Sequence, residues 1–135
     1  MSERTTERLH PRAHGLHSAA ASDVCAYLLD AQIDAVAAVR DALPMLLSAA
    51  DLASDALQAG YRLGYAGAGS SGLMALAECL ELPGTFGIAP DRIPMLFAGG
   101  AGALLRMTGA AEDDAALAWV DVRQAAFGAG DVVIC

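Results

Sequence analysis

The sequence predicts an α/β fold, the N-terminal part of a doubly wound parallel sheet preceded by two leading helices. Three observations predict it. A short apolar run, Arg62 to Ala66, leads at once into Gly67-Ala68-Gly69-Ser70-Ser71-Gly72, after which Leu73, Met74, Leu76, Ala77 and Leu80 recur at helical spacing. The order then repeats, with a second strand at Ile93 to Phe97, a helix opened by Asp113-Asp114 and running towards Phe127, and a third strand at Asp131 to Cys135. Strands alternating with helices pair in parallel, because a crossover helix returns the chain to the same end of the sheet. Finally, residues 21–60 form a long Ala- and Leu-rich amphipathic stretch ahead of the first strand. A complete sheet of this kind has more strands and covering helices, so the expectation is a chain that carries only the first part.

Composition bounds the function. The 135 residues are 56% hydrophobic and 18% charged, enough for one domain with a core and too apolar for a disordered chain. A formal charge of −8, with eight Arg and no Lys, argues against nucleic acid or an anionic membrane surface as partner. The longest low-charge stretch, Ile93 to Leu105, contains Pro94 and several glycines and cannot span a bilayer as a helix. The N-terminal MSERTTERLHPR mixes charges of both signs without an apolar segment, unlike a secretory signal, so a cytoplasmic location is expected. Cys25, Cys79 and Cys135 are far apart and form no C-x-x-C pair, which reads as buried thiols rather than disulfides or zinc ligands.

In chain order, residues 1–20 read as an arm containing Pro11 and Gly15. His10, His14 and His17 lie in it, but Gly15 interrupts their spacing and no Cys or carboxylate joins them in a ligand pattern, so no metal is expected. Ser22-Asp23 starts the leading helices over 21–60; Pro44 is expected to break or restart them, and Gly60 to stop them. Residues 61–135 hold the sheet. Pro90 and Pro94 frame the approach to the second strand, and Gly99-Gly100-Ala101-Gly102 reads as a flexible turn at its carboxyl end.

The turn at 67–72 carries the chemistry. Unpaired amides at a helix N-terminus, the positive end of the helix dipole and two adjacent hydroxyls make Gly69, Ser70, Ser71 and Gly72 a candidate phosphate site. Gly67, Gly69 and Gly72 also fit G-x-G-x-x-G. A dinucleotide site, however, wants an acid about 20 residues on at the end of the second strand, and Ile93 to Phe97 runs into Ala98-Gly99-Gly100 instead.

These residues resemble the sugar isomerase (SIS) domain, and within it the N-acetylmuramic acid 6-phosphate etherases. Those proteins have a GAGTSGR turn and, beyond its helix, an acidic-Ala-Ser-Glu-Cys-Pro-Pro-Thr-Tyr/Phe-Gly segment. The counterpart here is Glu78-Cys79-Leu80-Glu81-Leu82-Pro83-Gly84-Thr85-Phe86-Gly87. Leu96-Phe97-Ala98-Gly99-Gly100 and Ala111-Glu112-Asp113 match the second strand and a Gly-Ala-Glu-Asp segment, and Thr6-Glu7, the Leu28 to Pro44 region and Asp131-Val132-Val133 also fit. Departures are Leu9, His10 and His17 in the arm, Leu73 where the family has Arg, and Ala101 where it has Glu after Gly-Gly.

The resemblance implies cleavage of the lactyl ether of N-acetylmuramic acid 6-phosphate to N-acetylglucosamine 6-phosphate and D-lactate, by elimination followed by addition of water. It places Glu81 on the acid/base that serves the leaving oxygen and Glu112 on proton abstraction from carbon, two carboxyls whose surroundings must push their pKa values apart. It further implies a homodimer built with the leading helices, and no cofactor. Two alternatives share the serine turn: a non-catalytic sugar-phosphate-binding regulator, which needs neither glutamate, and an aldose–ketose phosphosugar isomerase.

Overall fold

The structure is a computed structural model that describes residues 8–106, 109 and 111–135; Thr6 and Glu7 lie outside the described residues. Its elements are α1 (Ala21–Gln58), β1 (Leu63–Gly67), α2 (Gly69–Phe86), β2 (Met95–Phe97), α3 (Gly100–Leu105), α4 (Ala115–Ala125) and β3 (Val132–Ile134). The chain divides into two units, 1–47 and 48–135, with the division inside α1.

In the first unit the arm forms two short 3-10 turns, Pro11–Ala13 and Leu16–Ser18. His10 is occupied locally, its Nδ1 accepting from the Arg12 amide, and the Arg12 guanidinium pairs with Asp30 at 2.8 Å. Where the sequence predicts two leading helices, α1 is a single helix of 38 residues with Pro44 inside it. Proline lacks the N–H that would bond to the carbonyl four residues back, yet the flanking Ala, Leu and Met are strong helix formers and the helix continues. At 3.6 residues per turn Leu28, Val36, Val39, Leu43 and Leu46 share one face of α1, and Asp23, Asp30, Asp34 and Asp41 lie opposite. The five apolar side chains are all exposed.

The second unit holds the parallel sheet, ordered β2-β1-β3. The register pairs Tyr65 with Met95 and Gly67 with Phe97 on one side of β1, and Leu63 with Val132 and Tyr65 with Ile134 on the other. Both neighbours run parallel to β1, as the alternation of strand and helix predicts. The α/β reading therefore stands. The core is small: among the described residues Ala56, Leu63, Cys79, Ile93 and Phe97 are the buried apolar ones.

Two glycine contacts bring α2 onto β1. A methyl group at Gly72 would lie 2.7 Å from the Phe97 ring and 2.8 Å from the Gly67 carbonyl oxygen, so helix and strand backbones touch only because both positions lack side chains. The helix starts earlier than its apolar period suggests, taking Ser70 and Ser71 into its first turn, and it runs through Pro83 to end at Gly87 with φ 66°. Gly100, Ala101 and Gly102, expected as a flexible turn, open the short helix α3; only Ala98 and Gly99 form the turn after β2.

A polar clamp fastens β3 to β1. The Asp131 carboxylate accepts from the Arg62 amide (2.8 Å), from Nε (3.0 Å) and Nη2 (2.6 Å) of its guanidinium, and from the Gly128 amide (2.9 Å). Arg62 also donates to the carbonyls of Ala125 and Ala126 at the end of α4, and its guanidinium carbon lies 5.1 Å from the centre of the Phe127 ring. A second arginine, Arg92, donates to the Leu57 and Tyr61 carbonyls and ties the approach to β2 to the end of α1.

Candidate active site

The carboxyl ends of all three strands open onto one cavity of about 680 Å³. Gly67 and Ala68 border it from β1, Ala98 from beyond β2, and Ile134 and Cys135 from β3; α2 contributes Ser71, Met74, Ala75 and Glu78, and α4 contributes Leu117, Ala118, Asp121 and Val122. This is where open parallel sheets bind ligands, since helix N-termini and strand ends converge there. Ala68 occupies the N-cap of α2 and supplies no side-chain hydrogen bond to the first turn. The orphan amides of that turn are thus left for an anion, with the Ser71 hydroxyl beside them.

The four candidate phosphate residues take different places. Ser71 lines the cavity. Gly69, with φ 53°, lines a small adjoining pocket together with Glu112. Ser70 is exposed and borders neither, and Gly72 is buried against β1 and Phe97. Gly72 thus shapes the turn, and of the two serines Ser71 is the one that borders the cavity.

The two candidate catalytic glutamates are separated. Glu112 lines the cavity with Ser71, and its carboxylate rests on the start of α2, for a methyl at Gly69 would lie 2.6 Å from Oε1. It stands ahead of the α4 N-cap, Asp114, whose side chain accepts from the Leu117 amide at 3.0 Å, so capping is done without Glu112. Glu81 is exposed on α2 and does not border the cavity. Ten residues beyond Ser71, it stands about 15 Å further along the helix axis. Within one chain, then, Glu112 and Ser71 border the same cavity and Glu81 does not join them.

The sequence reads Glu78 as a solvated neighbour of Glu81 and gives Tyr65 no role; both line the cavity. A signal for Glu78 existed: Ser71, Met74, Ala75 and Glu78 follow the spacing of three, four and seven that puts residues on one helix face. Tyr65 sits on β1, where partial burial raises its phenol pKa, and the nearby Cys79 and Glu78 push it the same way. The Cys79 thiol is raised by burial first and by Glu78 second. Cys79 is buried as expected, whereas Cys25 and Cys135 are exposed free thiols. Among the described residues no group of three or more His, Cys, Asp or Glu is placed to hold a metal, and no helix is long and apolar enough to cross a membrane.

No family model matches the chain. Among curated proteins it is similar to one named N-acetylmuramic acid 6-phosphate etherase from Deinococcus radiodurans, with 40% identity over 131 residues, 97% of this chain and 43% of that protein. Proteins of the same name from Yersinia pestis and Yersinia pseudotuberculosis are 44% identical over 97 residues, 72% of this chain and 33% of theirs. The chain therefore spans less than half the length of these curated relatives.

Proposed function

We propose that this chain is part of a cytoplasmic SIS-type lyase that cleaves the D-lactyl ether of N-acetylmuramic acid 6-phosphate, in amino-sugar and peptidoglycan recycling. The observation that carries the reading is the seat of Glu112: a carboxylate delivered by a loop to the first turn of α2, in the same cavity as Ser71. An anion held at that turn presents its sugar to a base already in place. The similarity to proteins named for this reaction supports the choice of substrate.

In the proposed reaction the phosphate is held by the first-turn amides of α2, the Ser70 amide among them, and the Ser71 hydroxyl, with Gly69 admitting close approach. Glu112 removes a carbon-bound proton from the sugar; the ether C–O bond breaks and the departing lactate oxygen takes a proton from Glu81. Water, activated by the same glutamate, then adds across the double bond and the carbon regains its proton. Because Glu81 is exposed and does not border its own chain's cavity, its carboxylate serves the cavity of a second copy in the proposed homodimer. The exposure of Glu81 and of the apolar face of α1 supports that assembly, since large apolar surfaces left open mark places of association. No cofactor is required by this chemistry.

The test is release of D-lactate from N-acetylmuramic acid 6-phosphate by the purified protein, with Glu112→Ala and Glu81→Ala alongside. Lactate from the wild type and a loss of at least about a hundredfold in each variant is expected, as for removal of a general acid or base. Sugar-phosphate binding without lactate would replace the lyase by a sugar-phosphate-binding regulator, and interconversion of aldose and ketose phosphates would replace it by an isomerase.

A further inference from the structure

We infer that Glu78 contacts the substrate in this cavity, accepting hydrogen bonds from the hydroxyl or amide groups at the end of the sugar remote from its phosphate. The inference rests on the reading that the cavity holds a sugar phosphate, and adds a residue that neither the serine turn nor the two candidate catalytic glutamates accounts for.

Position is the first argument. Ser71 and Glu78 lie on the same face of one continuous helix and line the same cavity. Seven residues at 1.5 Å per residue set them about 10 Å apart, comparable to the distance from the phosphorus of a hexose 6-phosphate to its far ring substituents. A rigid helix therefore holds an anion site and a carboxylate at the two ends of one sugar phosphate.

Chemistry is the second. Much of the wall between them is apolar, with Ala66, Ala75, Leu96, Leu117 and Val122 among its residues. Sugar hydroxyls entering such a cavity lose water and need acceptors, and a carboxylate offers two oxygens that accept and never compete as donors. Of the other carboxylates there, Asp114 is engaged in capping α4 and Glu112, already assigned as the base, rests on the start of α2. Asp121 also borders the cavity but belongs to α4, whose spacing from Ser71 is not set by a shared helix. Glu78 joins neither of the ion pairs found among the described residues. Tyr65 beside it keeps its phenolic proton at neutral pH, because burial raises its pKa and the Cys79 and Glu78 charges add to that, so donor and acceptor stand together in the cavity.

The experiment compares wild type, Glu78→Gln and Glu78→Ala by titration with N-acetylglucosamine 6-phosphate and, separately, with inorganic phosphate. Glu78→Ala is expected to weaken the sugar phosphate by about tenfold or more, Glu78→Gln by less because one acceptor oxygen remains, while inorganic phosphate stays within about twofold of wild type. A ligand-independent measurement accompanies it: the phenol titration of Tyr65, isolated by difference from Tyr65→Phe, moves to lower pH in Glu78→Gln. Equal losses for both ligands, no loss for the sugar phosphate, or an unmoved Tyr65 titration each overturns the inference. Wild type that binds the sugar phosphate but releases no D-lactate removes the lyase reading and leaves the role of Glu78 intact; wild type that binds no sugar phosphate removes both.

Discussion

The contact between α2 and β1 sets two opposed effects against each other at Gly72. Replacing a helical glycine by alanine favours the helix by up to about 1 kcal/mol, through backbone entropy in the unfolded chain. The new methyl, however, would stand 2.8 Å from the Gly67 carbonyl oxygen and 2.7 Å from the Phe97 ring. Neither neighbour gives way easily. The Gly67 carbonyl accepts from the Ala98 amide at 3.0 Å, in register with β2, and Phe97 is one of the few buried core side chains. Overpacking of this kind costs about 1–3 kcal/mol, so Gly72→Ala is expected to lose about 1–2 kcal/mol net. With m of about 2 kcal/mol/M, the middle of the usual range, the urea midpoint should fall by roughly 0.5–1 M at unchanged m. Gly84, in the same helix with open space around its Cβ position, is the control: Gly84→Ala should gain about 0.5 kcal/mol. Urea unfolding followed by far-UV circular dichroism gives both numbers. Equal stabilisation of the two variants would refute the close approach of α2 to β1, and with it the geometry of the turn that carries Ser71.

Other expectations concern the clamp, the thiols and the long helix. The Arg62 hydrogen bonds, then those from the Gly128 and Arg62 amides, hold the Asp131 carboxyl at a pKa of about 2, below its ordinary value. A depressed carboxylate contributes stability above its unfolded pKa and loses it as pH falls towards the folded one, so the wild type should weaken between about pH 4 and pH 2 more than Asp131→Asn. Unfolding midpoints measured across that window check it. A neutral thiol reagent at pH 8 should modify Cys25 and Cys135 rapidly and Cys79 slowly, since burial both shields that thiol and raises its pKa; three equal rates would contradict the packing of α2. Pro44→Ala should raise helix content and stabilise α1 by up to about 3 kcal/mol, visible in the far-ultraviolet thermal transition.

The order of elements was legible because each rests on local chemistry. An apolar run followed by Gly67 to Gly72 makes a strand, a turn and a helix start, and Asp114 caps α4 where Asp113-Asp114 marked it. Boundaries were less legible at prolines and small residues. Pro44 and Pro83 both stay inside helices: around Pro44 the Ala, Leu and Met neighbours outweigh one absent hydrogen bond, and Pro83 lies in the last turn before Gly87 closes α2. Gly100 to Gly102 joined a helix although their composition argues for a turn.

For the site, sequence alone determined which chemical groups are present: a glycine turn with two hydroxyls at a helix start, and glutamates on either side of the second strand. Which of them share a space was decided by the tertiary structure. Glu112, 41 positions after Ser71 in the chain, arrives beside Gly69 because the parallel crossover returns the loop before α4 to the carboxyl end of the sheet. Glu81, only ten positions after Ser71, is carried away from it by the rise of a rigid helix, and Glu78, one turn nearer and on the face that Ser71 occupies, lines the cavity instead. Sequence separation measures neither distance, because a helix spends residues on length while a crossover spends them on coming back.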